Sequence, residues 1–392
     1  MKYYIDTFYK SLNKYGEELC GDKVEIIKSE DRVIIVLADG LGSGVKANIL
    51  STMTSKIAAT MLREGATIEE TVETIVATLP VCKIRKIAYS TFTIIEIDKN
   101  GICYVVEYDN PPFYLFRDGR YLIVDKKETI MNGKKILESK FALRDSDKIV
   151  IVSDGVVHAG VGGLLNLGFR WENIKEFMER QVKNEDMSKM LTGKLIEKCS
   201  ELYQNKPGDD TTVVTLSIKK PKVVTLFTGP PKNPKNDSLV ATKLMCSKGK
   251  KIVCGGTAGK ILERFLGSEI TVLMDTMTRD IPPMGYIRNI DLVTEGVITL
   301  SKTVDKINKY NMASTNNEAM EILDENNGAS KLASMLIQEC TNLNLIIGKA
   351  INPAHQNPDL PIDLSIKLKI VDKLVEELKA MDKEVKIEYI DD

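Results

Sequence analysis

Val33-Ile34-Ile35-Val36-Leu37-Ala38-Asp39-Gly40-Leu41-Gly42-Ser43-Gly44-Val45 runs from an apolar, β-branched stretch through a carboxylate into a glycine-rich turn. A short run of this kind reads as a buried strand. The glycines let the backbone leave it sharply, and the helix expected from Val45 then offers unpaired N–H groups that favour anions. Three more aspartates sit in comparable turns: Cys20-Gly21-Asp22, Ser153-Asp154-Gly155 and Gly208-Asp209-Asp210-Thr211. Ile149 to Val152 leads into Asp154 and Val213 to Ile218 follows Asp210, so these carboxylates are expected at strand ends. Carboxylates gathered there repel one another unless a cation neutralises them, and hard divalent ions bound through oxygen suit the purpose. A pair of such ions is suited to phosphate-ester hydrolysis.

Outward from this stretch, Val24 to Ile27 pairs with it as a hairpin through Ser29-Glu30-Asp31. Apolar residues at Ile49, Met53, Ile57 and Met61 recur at a helical period and predict a helix from Val45 to about Leu62 that packs on that face. Gly65 closes it, and Thr67-Ile68-Glu69-Glu70 resembles a capping box opening the next. Strands are expected over Thr91 to Ile97, Ile102 to Tyr108, Phe113 to Arg117, Tyr121 to Val124 and Ile149 to Ser153, in the meander spacing of antiparallel sheet. Asn173 to Tyr203 reads as largely helical and Thr211 to Ile218 as a closing strand.

The length of 392 residues allows two or three domains, and the formal charge of −1 gives no footprint for nucleic acid or an anionic membrane. No apolar run reaches the length of a membrane span, and the first residues lack the apolar core of a signal peptide. Seven cysteines without a Cys-x-x-Cys pair suggest reduced thiols. A cytoplasmic protein is the expectation, and two histidines exclude a His-rich metal site.

The ordered set, Gly-Asp, Asp-Gly-x-Gly-x-Gly opening a helix, Ser-Asp-Gly and Asp-Asp-x-Thr-Val-Val, resembles the metal-dependent type 2C protein phosphatases, in the branch of bacterial sporulation stage II protein E. The resemblance spans about residues 1–218. It implies an α+β fold with an α-β-β-α sandwich of two antiparallel sheets. It also implies two Mn²⁺ or Mg²⁺ ions, with Asp39 bridging, Asp154 and Asp210 completing one site, and Asp22 with the carbonyl of Gly40 serving the other. Asp209 either orients a metal-bound water or caps its turn. Relatives carry His where this chain has Leu41 or Ser43, so the leaving group must take its proton elsewhere; His158, four residues after Asp154, is either that acid, a ligand, or a polar loop residue. Arg85 is the candidate for gripping phosphate, or a solvated turn residue. The implied substrate is phosphoserine or phosphothreonine on a small bacterial regulator such as an anti-anti-sigma-factor protein. The alternative is a catalytically weak phosphatase-fold scaffold or ligand-binding signalling protein.

Lys219-Lys220-Pro221-Lys222 breaks the pattern, dividing a phosphatase domain over 1–219 from a smaller α/β domain over 222–392. Val223 to Phe227, Lys251 to Cys254, Ile270 to Met274, Leu343 to Ile347 and Val385 to Ile390 read as its strands, with helices at Ala258 to Leu266 and Leu364 to Met381. Glu318 to Glu339 reads as a helical pair or one long helix, interrupted near Asn326-Asn327-Gly328. Cys254 to Ile261 falls short of a P-loop at its first glycine and at its Ser/Thr, which weakens a nucleotide-using reading. Gly255, Gly256 and Thr257 either hold an anion or let strand and helix pack closely. The loop with His355, and Gly229-Pro230-Pro231, join them as candidate ligand or partner loops. The resemblance places control modules ahead of the phosphatase in relatives; here control is expected from behind it.

Overall fold

Every residue from Val33 to Ala38 is buried, because the strand that holds them lies between two layers. The computed structural model describes residues 1–78, 90–131, 133–313, 315–350 and 366–390. Contacts divide the chain into Met1–Lys220 and Pro221–Asp392. The first unit opens with β1 (Tyr4–Leu12), β2 (Asp22–Lys28), β3 (Arg32–Gly40), α1 (Gly44–Arg63) and α2 (Ile68–Thr78). It continues with β4 (Ser90–Asp98), β5 (Ile102–Tyr108), β6 (Tyr114–Arg117), β7 (Arg120–Tyr121), β8 (Lys127–Met131), β9 (Lys134–Ala142) and β10 (Lys148–Val152). Helices α3 (Asp154–Val157), α4 (Trp171–Gln181) and α5 (Ser188–Leu202) and strand β11 (Thr211–Lys219) complete it.

Two antiparallel sheets form, in the orders β2-β3-β4-β5-β9-β8 and β1-β11-β10-β6-β7. Alternation along β3 explains the layering. Val33, Ile35 and Leu37 face the other sheet's Ile149, Ile151, Val214 and Leu216. Ile34, Val36 and Ala38 face Ala58, Leu62, Val72 and Ile75 of α1 and α2. On the far side Val150, Val152 and Val213 meet Ile174, Met178, Leu191 and Leu195 of α4 and α5. The result is an α-β-β-α sandwich, and the fold is α+β.

Two local expectations are observed and one is reversed. Glu70 Oε2 accepts from Thr67 N at 2.9 Å and Thr67 Oγ1 from Glu70 N at 3.1 Å, a reciprocal capping box. The hairpin of β2 and β3 pairs Asp22 with Asp39. Helix α1, however, packs through Ala47, Leu50, Ser51, Thr54, Ser55, Ala58, Ala59 and Leu62. Ile49 and Met53, on the apolar stripe expected inside, are 52% and 53% exposed, while Ile57 of the same stripe packs partly buried against the core. The reason is close approach: a Cβ on Gly40 would fall inside the backbone carbonyl of Ala47, so only small side chains fit beneath the helix. Ala58→Leu should therefore cost about 1–3 kcal/mol by overpacking. Met53→Ser should stay within about 0.5 kcal/mol. Urea midpoints of the two variants check this, and equal shifts would contradict the assigned face.

The second unit comprises β12 (Val223–Thr228), α6 (Asp237–Cys246), β13 (Lys250–Cys254), α7 (Gly256–Leu266), β14 (Thr271–Leu273), β15 (Met284–Ile287) and β16 (Ile290–Thr294). Then come α8 (Val297–Met312), α9 (Asn316–Leu323), α10 (Gly328–Gln338), β17 (Asn342–Gly348), α11 (Ile366–Ala380) and β18 (Glu384–Ile390). Strands β16-β13-β12-β17-β18 are parallel, with β14 and β15 antiparallel at one edge. In chain order the parallel strands run third, second, first, fourth, fifth, a doubly wound arrangement whose order reverses between β12 and β17. Gly348 there lies so close to the Pro230 carbonyl that a Cβ would overlap it.

Candidate metal centre

Each aspartate is placed by the strand beside it. Asp22 begins β2 opposite Asp39 near the end of β3, and Gly40 N donates to Gly21 O at 3.1 Å. Asp154 opens α3 after β10, and Asp210 immediately precedes β11, the neighbour of β10. Ser153 N donates to Thr212 O at 3.0 Å and Thr212 N to Ser153 Oγ at 2.8 Å, which holds those two strand ends together. Glycine is required by proximity here: a Cβ on Gly155 would enter the Asp210 carbonyl, and one on Gly21 would stand 2.7 Å from Asp210 Oδ2. The two sheets thus bring all four carboxylates to one end of the sandwich.

The electrostatics follow from that crowding. Burial pushes Asp22 up to about 7, with Asp210 and Asp154 adding to it and the nearby Ser153 and Thr212 hydroxyls opposing it. Neither hydroxyl reaches hydrogen-bond geometry: both Asp22 carboxylate oxygens, and Asp210 Oδ2, are buried without a partner. Asp39 is held well above the usual carboxylate range by burial first, then by Asp22, Asp154, Asp209 and Asp210. Asp209 is raised by burial and by Asp154; its Oδ1 accepts from Asp210 N at 3.0 Å, the turn-capping contact. Asp210 Oδ1 accepts from Lys14 N at 3.1 Å.

Orphaned carboxylate oxygens at a buried cluster are costly unless a cation meets them, and the oxygen-only donor set suits Mn²⁺ or Mg²⁺. The residues present fit such ions in chemistry. Among the described residues, however, no group of three His, Cys, Asp or Glu side chains is arranged to hold one metal ion. The charge state predicts a pH effect in chelator. A carboxylate whose folded pKa exceeds its unfolded one binds its proton more tightly in the folded state. The stability is full below about pH 4 and is lost as pH rises through about 7. The chelated protein should lose stability across that window at up to about 1.4 kcal/mol per pH unit per proton. Asp22→Asn should flatten the slope of urea midpoint against pH, and an unaltered slope would contradict the burial of Asp22.

Several neighbours were not evident from the sequence. Ser43 Oγ donates to Glu17 Oε1 at 3.1 Å, and Glu17 Oε2 stands against Gly44. The amino end of α1, expected to be open to an anion, therefore already has a carboxylate beside it. Cys20 lies beside the cluster and its thiol is pushed up to about 12 by burial, then by Asp22 and Asp210. His158 is exposed and lines a cleft together with Asp154, Asn110 and Trp171. Arg85 and His355 lie outside the described residues. In the second unit Gly255 (φ 123) and Gly256 lead into α7, with Gly255 N donating to Thr294 O at 2.9 Å, and Thr257 lies in its first turn. Those three do not belong to the aspartate cluster.

Residues 29–219 match the family described as Stage II sporulation protein E (SpoIIE). The first unit carries a type 2C phosphatase domain of that branch. No curated protein matches. Among solved structures, the PP2C phosphatase domain with a fragment of the regulatory domain of the cell fate determinant SpoIIE from Bacillus subtilis is 20% identical, covering 55% of this chain and 62% of that one, with a TM-score of 0.47. This chain therefore spans less than two thirds of that structure's length. The RsbU and RsbW domains of Rv1364c from Mycobacterium tuberculosis are 16% identical over 61% of this chain and 67% of that one, with a TM-score of 0.46. RsbX in complex with magnesium is 20% identical over 56% and 97%, with a TM-score of 0.41. No helix among the described residues is long and apolar enough to cross a membrane.

Proposed function

We propose that the first unit hydrolyses phosphoserine or phosphothreonine on a protein, through a centre held by Asp22, Asp39, Asp154, Asp210 and the carbonyl of Gly40. The observation that carries this reading is the meeting of four aspartates at one end of the sandwich, with three buried oxygens left unpartnered. Two divalent ions bound there supply charge neutralisation for the phosphoryl oxygens and an activated water. Asp39, which feels Asp22 on its own sheet and Asp154 and Asp210 on the other, would be the carboxylate shared by both ions, while Asp209 caps the Asp210 turn. His158, the one histidine among the described residues, gives the leaving oxygen its proton from the cleft it shares with Asp154. The substrate is a small bacterial regulator of the anti-anti-sigma-factor kind, a reading that rests on the family resemblance.

The second unit serves as a ligand- or partner-responsive domain. Its doubly wound order favours binding at the carboxyl ends of the strands, where the loops at Gly229 and Gly255 sit. Hydrolysis of an aryl phosphate and of a phosphoserine protein, each with Mn²⁺, with Mg²⁺ and with chelator, tests the reading. Metal-dependent release of phosphate from both is expected. Absence of turnover, with no metal binding in calorimetry, would favour a phosphatase-fold scaffold.

A further inference from the structure

We propose that the cleft beside Asp154 holds the polypeptide on one side of the phosphoresidue and selects a basic side chain there, a specificity that rests on the phosphatase reading above. The cleft encloses about 440 Å³, room for a few side chains. One wall is rigid. The Trp171 ring stacks on Tyr114 with centroids 4.7 Å apart, and its indole N–H donates to the Pro112 carbonyl at 2.8 Å. The turn from Asp109 to Pro112 forms another wall, and Asn110 ties it to both sheets. Its amide donates to Thr93 Oγ1 at 2.8 Å and to Val152 O at 3.3 Å, two residues before Asp154. Since a carbonyl only accepts, the amide orientation is fixed, and Asn110 Oδ1 is left buried without a partner. The negative end of that dipole adds to the potential beneath the cleft.

The ionisable side chains decide the sign. Glu107 is neutralised by Lys126, and Lys135 by Glu128 at 2.6 Å. Asp154 belongs to the metal centre and His158 to the leaving group in the reading above. Asp109 remains: it is exposed, feels Lys134 at longer range, and makes no ion pair among the described residues. A carboxylate without an ion pair, next in sequence to an unpartnered amide oxygen and lining the same cleft as a fixed indole, suits an ammonium or guanidinium with an apolar stem.

Two phosphopeptides differing only in Lys or Glu beside the phosphoserine test this, with an aryl phosphate as reference. The full chain should favour the Lys peptide by about tenfold in kcat/KM, a preference that shrinks in high salt. Asp109→Asn keeps a residue that tolerates the left-handed backbone found here (φ 49). It should bring the ratio of the two peptides to within about twofold, which a merely structural role would not do. Equal rates on the two peptides, or a preference that Asp109→Asn retains, overturns the subsite alone. Hydrolysis of the aryl phosphate with neither peptide cleaved overturns the phosphoprotein reading and the subsite with it.

Discussion

Asp39→Asn is expected to lower metal-dependent kcat/KM by about a thousandfold or more, roughly 4 kcal/mol of transition-state stabilisation. The substitution keeps the shape and removes the charge that two cations would share. It should also raise the melting temperature of the chelated protein. Asp39 is disfavoured as an anion by burial and by four neighbouring carboxylates, so an amide there relieves repulsion that the wild type carries for function. The pair of readouts separates roles. A structural carboxylate would lose stability with activity, whereas a ligand loses activity and gains stability. Steady-state kinetics and a thermal melt in chelator are sufficient, and a variant that is both slower and less stable would contradict the assignment.

Gly155→Ala should have the largest effect on the fold. The added Cβ would enter the carbonyl of Asp210, and backbone cannot rotate away as a side chain can. That carbonyl belongs to the residue that brings the fourth carboxylate, while Gly155 O accepts from the Tyr203 hydroxyl at 2.7 Å. Overpacking of this kind costs about 3 kcal/mol, which for a unit of this size lowers the melting temperature by roughly 10 °C. Turnover should fall further than stability explains, because Asp154 and Asp210 are pushed apart. Gly40→Ala should behave alike through Ala47. A melt within a degree or two of wild type would show that the close approach is not as described.

What was legible in the sequence was local. The run from Val33 to Ala38 reads as a strand buried on both faces because nearly every residue is large and apolar, and the glycines mark where aspartates meet other backbone. Two edge strands of the first unit, β1 and β8, were not legible. Residues of β1 are mostly half-buried, so Tyr4 to Leu12 shows no clean alternation, and β8 is largely exposed. Helix α8 hides behind Thr, Val, Ile and Asn, which favour helix weakly, and tertiary contacts through Leu300, Val304 and Ile307 decide it. The face of α1 was misread because the stripe of largest side chains is usually the core face; here Gly40 and Ala47 set the spacing, which no periodicity reveals. Within the candidate site, the four aspartates were visible as motifs. Asn110 was not, since Thr93 and Val152 lie far from it in sequence and meet only when the sheets close.

The central claim is that the four aspartates hold two divalent ions. Diffraction from crystals soaked in Mn²⁺, recorded at the manganese absorption edge, tests it most directly. Two anomalous peaks at the end of the sandwich, with Asp39 touching both and Asp22, Asp154 and Asp210 distributed between them, are the predicted result. Peaks elsewhere, or none at concentrations that support turnover, would contradict it.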